Sequence, residues 1–191
     1  MSQAITKERW YEAQIAERAC HTFNRQEGYD HYRASYQKVF AYLGMQTDQQ
    51  GKSIIEIGPA DFPALAYCSN YKGTIVEPMV SGHLNASCND LRISLIARPF
   101  EEVNVPIKED EAWLFNVMQH VIDPDLFIAK CKSAAKTIRF FEPVDYPTCA
   151  YHPHTFTQQD FERWFPKSVK RYTDRLEGFF DSDCVYGTWT A

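Results

Sequence analysis

Ser53-Ile54-Ile55-Glu56-Ile57-Gly58-Pro59-Ala60-Asp61-Phe62 decides the fold. Three isoleucines around one glutamate show no polar alternation, which is the pattern of a strand buried on both faces. Gly58-Pro59 closes it. Strands of that kind sit inside parallel sheets, whose crossovers cover both faces with helices.

The same texture repeats outward from this strand. Downstream the reading is a helix over Pro63–Ser69, a strand Thr74–Val76, a helical or irregular stretch from Val80, and a strand near Ser94–Ala97. A strong strand at Ala112–Val117, a helix Pro124–Ala135 and a strand Thr137–Glu142 follow. Alternating strands and helices imply βαβ units. A helix Phe156–Phe165, capped by Thr155 or Thr157, leads to the strands Val169–Thr173 and Val185–Thr190, which suit an antiparallel end to the sheet. Upstream, Trp10, Ala13, Ala16, Cys20 and Phe23 recur at helical spacing within Ile5–Phe23, and Tyr29, Tyr32, Tyr36, Val39, Phe40 and Leu43 do so until Gly44. The expected architecture is α/β, with seven strands and two N-terminal helices.

Composition bounds the partners. The 191 residues suit one domain with a full core. With 20 Lys+Arg against 25 Asp+Glu, no broad basic field exists for nucleic acid or an anionic membrane. The polar stretch Met1–Trp10 lacks an apolar signal segment and no run reaches membrane-spanning length, so a cytoplasmic protein is expected. The 6 cysteines lie far apart with no zinc-type Cys/His spacing; reduced thiols and no metal are expected.

The chemistry concentrates at strand ends. A glycine where the chain leaves a strand lets backbone approach a ligand, and Glu77-Pro78-Met79 ends the next strand with a carboxylate suited to a ribose diol. The turn offers Gly58, Ala60 and Phe62 where a dinucleotide motif wants three glycines, so a pyrophosphate fits poorly.

These residues resemble the class I S-adenosylmethionine-dependent methyltransferases, over essentially all of the chain from Trp10 onward. Ile54–Phe62 is similar to that family's first motif, and Glu77 stands where its ribose-binding acid does. Ala112–Pro124, with Gln119-His120-Val121 and Asp123-Pro124, follows its fourth-strand pattern. Ile138–Pro143 with the loop His152-Pro153-His154 is similar to its fifth strand and histidine loop, and Trp10-x-x-x-Gln14-x-x-Glu17 to the opening of several bacterial members.

The resemblance implies a Rossmann-like, mostly parallel seven-stranded sheet with an antiparallel C-terminal strand, a helical lid over residues 1–45 and a core over 52–191. It implies S-adenosyl-L-methionine as cofactor, held by Glu56, Gly58, Pro59, Ala60, Glu77, Pro78, Met79, Phe100, Glu101, Asn116, Val117 and Gln119. His120, His152 and His154 are the candidate catalytic bases. Trp10, Gln14, Glu17 and His21 share one helix face, as a lid over a small-molecule substrate would require. The expected reaction is O- or N-methyl transfer. The alternatives are a non-catalytic binding protein whose pocket Ala60 and Phe62 have closed, and a nucleotide-dependent oxidoreductase.

Overall fold

A computed structural model describes residues 3–20, 25–104, 108–172 and 183–191. His21 therefore lies outside the described residues, as does most of the segment between the last two strands. The helices are α1 (Lys7–Cys20), α2 (Arg25–Leu43), α3 (Gly82–Leu91), α4 (Pro124–Ala134) and α5 (Gln158–Trp164). The strands are β1 (Asp48–Ile57), β2 (Ser69–Val76), β3 (Ser94–Ile96), β4 (Glu109–Phe115), β5 (Ala135–Pro143), β6 (Val169–Tyr172) and β7 (Cys184–Thr190). They form one sheet in the order β3-β2-β1-β4-β5-β7-β6. β1 to β5 pair in parallel, while β7 runs antiparallel between β5 and β6.

Alternation along the central strands divides the core. Ile55, Ile57, Ala112, Leu114 and Phe140 face a layer containing Phe127 and Ile128 of α4 and Phe161 and Trp164 of α5. Ile54, Trp113, Phe115 and Phe141 face the other way, onto Val39 and Phe40 of α2 and Leu84 of α3. Burial on both faces explains why these strands are continuously apolar.

Three expectations change. The segment Pro63–Ser69 is no helix: four residues, Ala64–Tyr67, make a 3₁₀ turn, and Ser69 already opens β2. β1 starts at Asp48 rather than Ser53, behind a register shift where Gln50 and Gly51 take positive φ. The second N-terminal helix is a core layer more than a lid, because Val39 and Phe40 are buried against Trp113 and Phe115.

Caps follow the sequence. Thr157 and Asp160 form a capping box on α5. Asp123 accepts the amides of Asp125 and Leu126 at the start of α4, where Pro124 loses nothing by lacking an N–H. Gly44 ends α2 with φ of +62°. The described cysteines Cys68, Cys88, Cys131, Cys149 and Cys184 are free thiols. No helix among the described residues is long and apolar enough to cross a membrane.

Candidate active site

The carboxyl ends of β1, β2 and β4 open into a cavity of ≈ 290 Å³. Ligands of open α/β sheets bind at such ends, where adjacent connections leave to opposite faces. Gly58, Pro59, Ala60, Glu77, Pro78, Met79, Phe100, Glu101, Asn116, Val117 and His120 line it from the sheet side. Trp10, Gln14 and Glu17 line it from α1.

Glu77 is buried at the tip of β2. One carboxylate oxygen accepts the Ala60 amide at 3.1 Å and the other accepts the Met79 amide at 2.9 Å. The acid therefore ties the β1 turn to the β2 turn across the cavity floor. Gly58 has φ of +68°, and a Cβ there would stand 2.3 Å from Cγ2 of Val117. Backbone conformation and the neighbouring strand both require glycine, before any ligand is considered. Ala60, also left-handed at φ of 51°, occupies this turn with a side chain that strains it.

Phe62 does not close the pocket, contrary to one expectation. Its ring stacks on Tyr32 at 5.4 Å and meets Tyr29 edge-on at 5.3 Å. Gly28 leaves the room: a Cβ there would stand 1.9 Å from the Phe62 ring. A bulky residue in the turn thus serves to dock α2.

Several expected contacts are corrected. Glu56 does not line the cavity; its carboxylate accepts the amides of Ala64 at 2.7 Å and Leu65 at 3.0 Å, bracing the 3₁₀ turn. Burial pushes its pKa up to about 7 against those two bonds. Glu101 reaches the cavity, but Oε1 accepts the Ile122 amide at 2.7 Å, so this acid positions the loop before α4. Phe100 lines the cavity with a buried ring that also packs on Phe127. Gln119 is buried away from the lining, its Nε2 without a partner. His154 is buried outside the lining, with Nε2 at 2.8 Å from the Val121 carbonyl and its ring stacked on Phe156. That nitrogen donates, so His154 ties its loop to Val121 away from the cavity lining.

His120 and His152 do converge. Their ring centroids are 4.7 Å apart, and Nε2 of His152 stands 4.0 Å from Oε2 of Glu17. Nδ1 of His120 lies 3.1 Å from the Tyr151 carbonyl. Burial first, then His120, lowers the His152 pKa to about 4, against a smaller raising effect of Glu17. His152 is neutral at ordinary pH.

Helix α1 is pinned over this cluster. Nε1 of Trp10 donates to the His120 carbonyl at 2.8 Å, with Gln14 Nε2 on the same oxygen at 3.3 Å. Arg9 donates to the carbonyls of Cys149 and Ala150 in the histidine loop, and the Ile5 amide to Ile122. The shared face of Trp10, Gln14 and Glu17 thus satisfies polar groups that burial would otherwise make costly.

Sequence reasoning missed Tyr32, Tyr36, Arg18 and Asp61, which also line the cavity. Periodicity marks the two tyrosines only as buried positions. It also passed over Glu142, fully buried at the end of β5, whose carboxylate accepts the amides of Val117 and Met118. This acid holds the β4 tip, where Asn116 takes φ of 61°. Burial raises the Glu142 pKa to about 8 despite the amides.

No protein-family model and no curated protein sequence matches the chain. Solved structures do. The N-methyltransferase NodS of Bradyrhizobium japonicum WM9, in complex with S-adenosyl-L-homocysteine, superposes with a TM-score of 0.68 at 14% identity, over 94% of this chain and 97% of that one. The 1,6-didemethyltoxoflavin-N1-methyltransferase of Burkholderia thailandensis, with its substrate and S-adenosylhomocysteine bound, gives 0.66 at 14% identity, over 98% and 91%. The [4+2]-cyclase SpnF gives 0.61 at 11% identity, over 76% and 62%. The chain has the Rossmann-like fold of class I methyltransferases, a scaffold that also carries a cyclase.

Proposed function

We propose that the chain is an S-adenosylmethionine-dependent methyltransferase acting on a small molecule. The observation that carries this reading is Glu77, a buried carboxylate at the tip of β2, beside the Gly58 turn in a cavity roofed by α1. A ribose diol can donate to such an acid, and the glycine turn admits the rest of the cofactor without an anion site. Pro59 brings no N–H, and the turn leads into a 3₁₀ segment rather than a helix, so nothing in it favours a pyrophosphate over an uncharged nucleoside. Structures of the same fold with S-adenosylhomocysteine bound support the choice of cofactor.

In this reading Gly58, Pro59 and Ala60 face the methionine end, Glu77 to Met79 the ribose, and Pro99, Phe100 and Glu101 the adenine. Asn116 and Val117 close the cavity at the β4 tip. Methyl transfer from a sulfonium is an in-line displacement, so the protein's task is to align acceptor, methyl and sulfur and to exclude water. Trp10, Gln14 and Glu17 on α1 exclude water, and Tyr32 and Tyr36 flank the space left for the acceptor. Glu17 and His120 line the cavity, so the cluster they form with His152 marks where an acceptor oxygen or nitrogen gives up its proton.

Calorimetry with S-adenosylhomocysteine tests the reading. The wild type should bind, and Glu77→Ala should weaken binding by about 1–3 kcal/mol through the unpaired diol. Glu77→Gln, which keeps an acceptor for the Ala60 or Met79 amide, should lose less. No binding by the folded wild type overturns the proposal.

A further inference from the structure

We propose that Glu17, His120 and His152 form a site for a divalent transition metal, with Zn²⁺ the ion their donor set fits, at the roof of the cavity. Three separate segments supply them: α1, the loop after β4, and the loop after β5. Their ligand atoms lie within 4.8 Å of one another, the only such grouping among the described residues. Two imidazoles and one carboxylate are a recurrent set for catalytic zinc, with bonds of about 2.0–2.2 Å. Ligand atoms around such an ion stand roughly 3.3 Å apart, so each side chain needs to move inward by about 1 Å.

Two observations point past a chance grouping. The Nδ1 of His120 lies 3.1 Å from the Tyr151 carbonyl. A proton on Nδ1 donates there, which leaves Nε2 with its lone pair, and this is how metal-bound histidines are oriented. His152 is held by the rings of Tyr146 and Tyr151 at 5.1 and 4.6 Å, and its Nδ1 is buried without a partner. Its Nε2, 4.0 Å from Glu17, is beyond hydrogen-bond length. An ion between the rings and the carboxylate would be taken by Nε2, the nitrogen that faces Glu17, with the His152 proton on Nδ1.

Three protein ligands leave a coordination position open, and Glu17 and His120 both line the cavity. An acceptor hydroxyl or amine can fill that position. Coordination lowers its pKa, so its proton leaves to water at neutral pH. The freed electron pair then forms the new bond to the methyl carbon, and the carbon–sulfur pair remains on sulfur as the thioether. This role rests on the methyl-transfer reading; metal binding itself does not.

The test uses untagged, chelator-treated full-length protein titrated with Co²⁺ and Zn²⁺. One equivalent should bind, with the visible absorption of histidine-ligated Co²⁺, and affinity should fall by at least about tenfold in Glu17→Gln, as loss of a ligand exceeds loss of an outer partner. His152→Ala, or His152→Asn if the alanine variant does not fold, should abolish the absorption. S-adenosylhomocysteine affinity is measured without metal on the same samples, so that cofactor binding is read separately from metal binding. Absence of stoichiometric metal in the wild type, or equal affinity in all variants, overturns the site, and cofactor binding by those samples leaves the methyl-transfer reading standing. Metal binding without cofactor binding overturns that reading and keeps the site.

Discussion

The central strands carry carboxylates along their first half and at their finish, and the two sets live by different rules. Near the start, Glu111 of β4 meets cations: Arg139 at 2.6 Å, Lys52 at 2.8 Å, and the Trp113 indole at 2.9 Å. Burial pushes its pKa up, yet these partners outweigh burial and hold it down near 2. Beside it, the Lys136 bond brings Asp110 to about 2. At the finish, Glu56 and Glu142 have only backbone amides, and burial carries them up to about 7 and about 8. The first set joins strands into a sheet. The second organises the turns around the cavity, holding backbone amides rather than joining strands.

The largest expected effect separates the two ends by mutation. Glu111→Ala takes the carboxylate from half-buried Arg139 and the acceptor from the buried Trp113 indole, and should destabilise the fold by about 2–3 kcal/mol in urea unfolding. Its affinity for S-adenosylhomocysteine should be unchanged; a loss of binding would erase the division between a stability end and a ligand end.

A smaller effect separates them by pH. Glu111, with its folded pKa depressed, contributes stability above pH 4.5 that is lost as pH falls toward 2. Glu56 and Glu142, with folded values raised, contribute stability below pH 4.5 that is lost as pH rises through about 7 and 8. Each pH unit in that upper window removes up to about 1.4 kcal/mol per carboxylate. Urea midpoints should therefore fall between pH 5 and pH 8. Glu142→Gln, an amide in place of a protonated acid, should be close to neutral at pH 7 and flatten the decline. An equally steep decline in that variant would remove Glu142 from the account.

The smallest effect concerns the β1 turn. Ala60→Gly relieves a left-handed alanine and should stabilise by about 1 kcal/mol or less in thermal unfolding. Cofactor affinity should hold or rise slightly. A sharp loss would mean that the Ala60 methyl contacts the ligand.

The signals legible in the sequence were those whose cause is local. Ile54–Ile57 reads as a buried strand because both faces are apolar, Thr155 or Thr157 reads as a helix start, and Gly58 as a turn that leaves a strand. Their order implied a parallel sheet with Gly58 and Glu77 at its carboxyl ends, and both line one cavity; the family resemblance added Asn116, which lines it, and Gln119, which does not. Pro63–Ser69 misled because Glu56, eight residues from Ala64 in the chain, holds that turn from below.

What the sequence by itself determined is therefore the element types, their succession and the tips on which chemistry can sit, since these follow from side-chain periodicity and turn chemistry within a few residues. Tertiary structure decided what each polar group spends its hydrogen bonds on. It turned Glu56, Glu101 and Glu142 to backbone amides, gave Phe62 to Gly28 and the tyrosines of α2, and tied His154 to Val121. It also brought Glu17, His120 and His152 within 4.8 Å. Buried polar groups must find partners wherever the folded chain presents them, and those partners lie far away along the sequence.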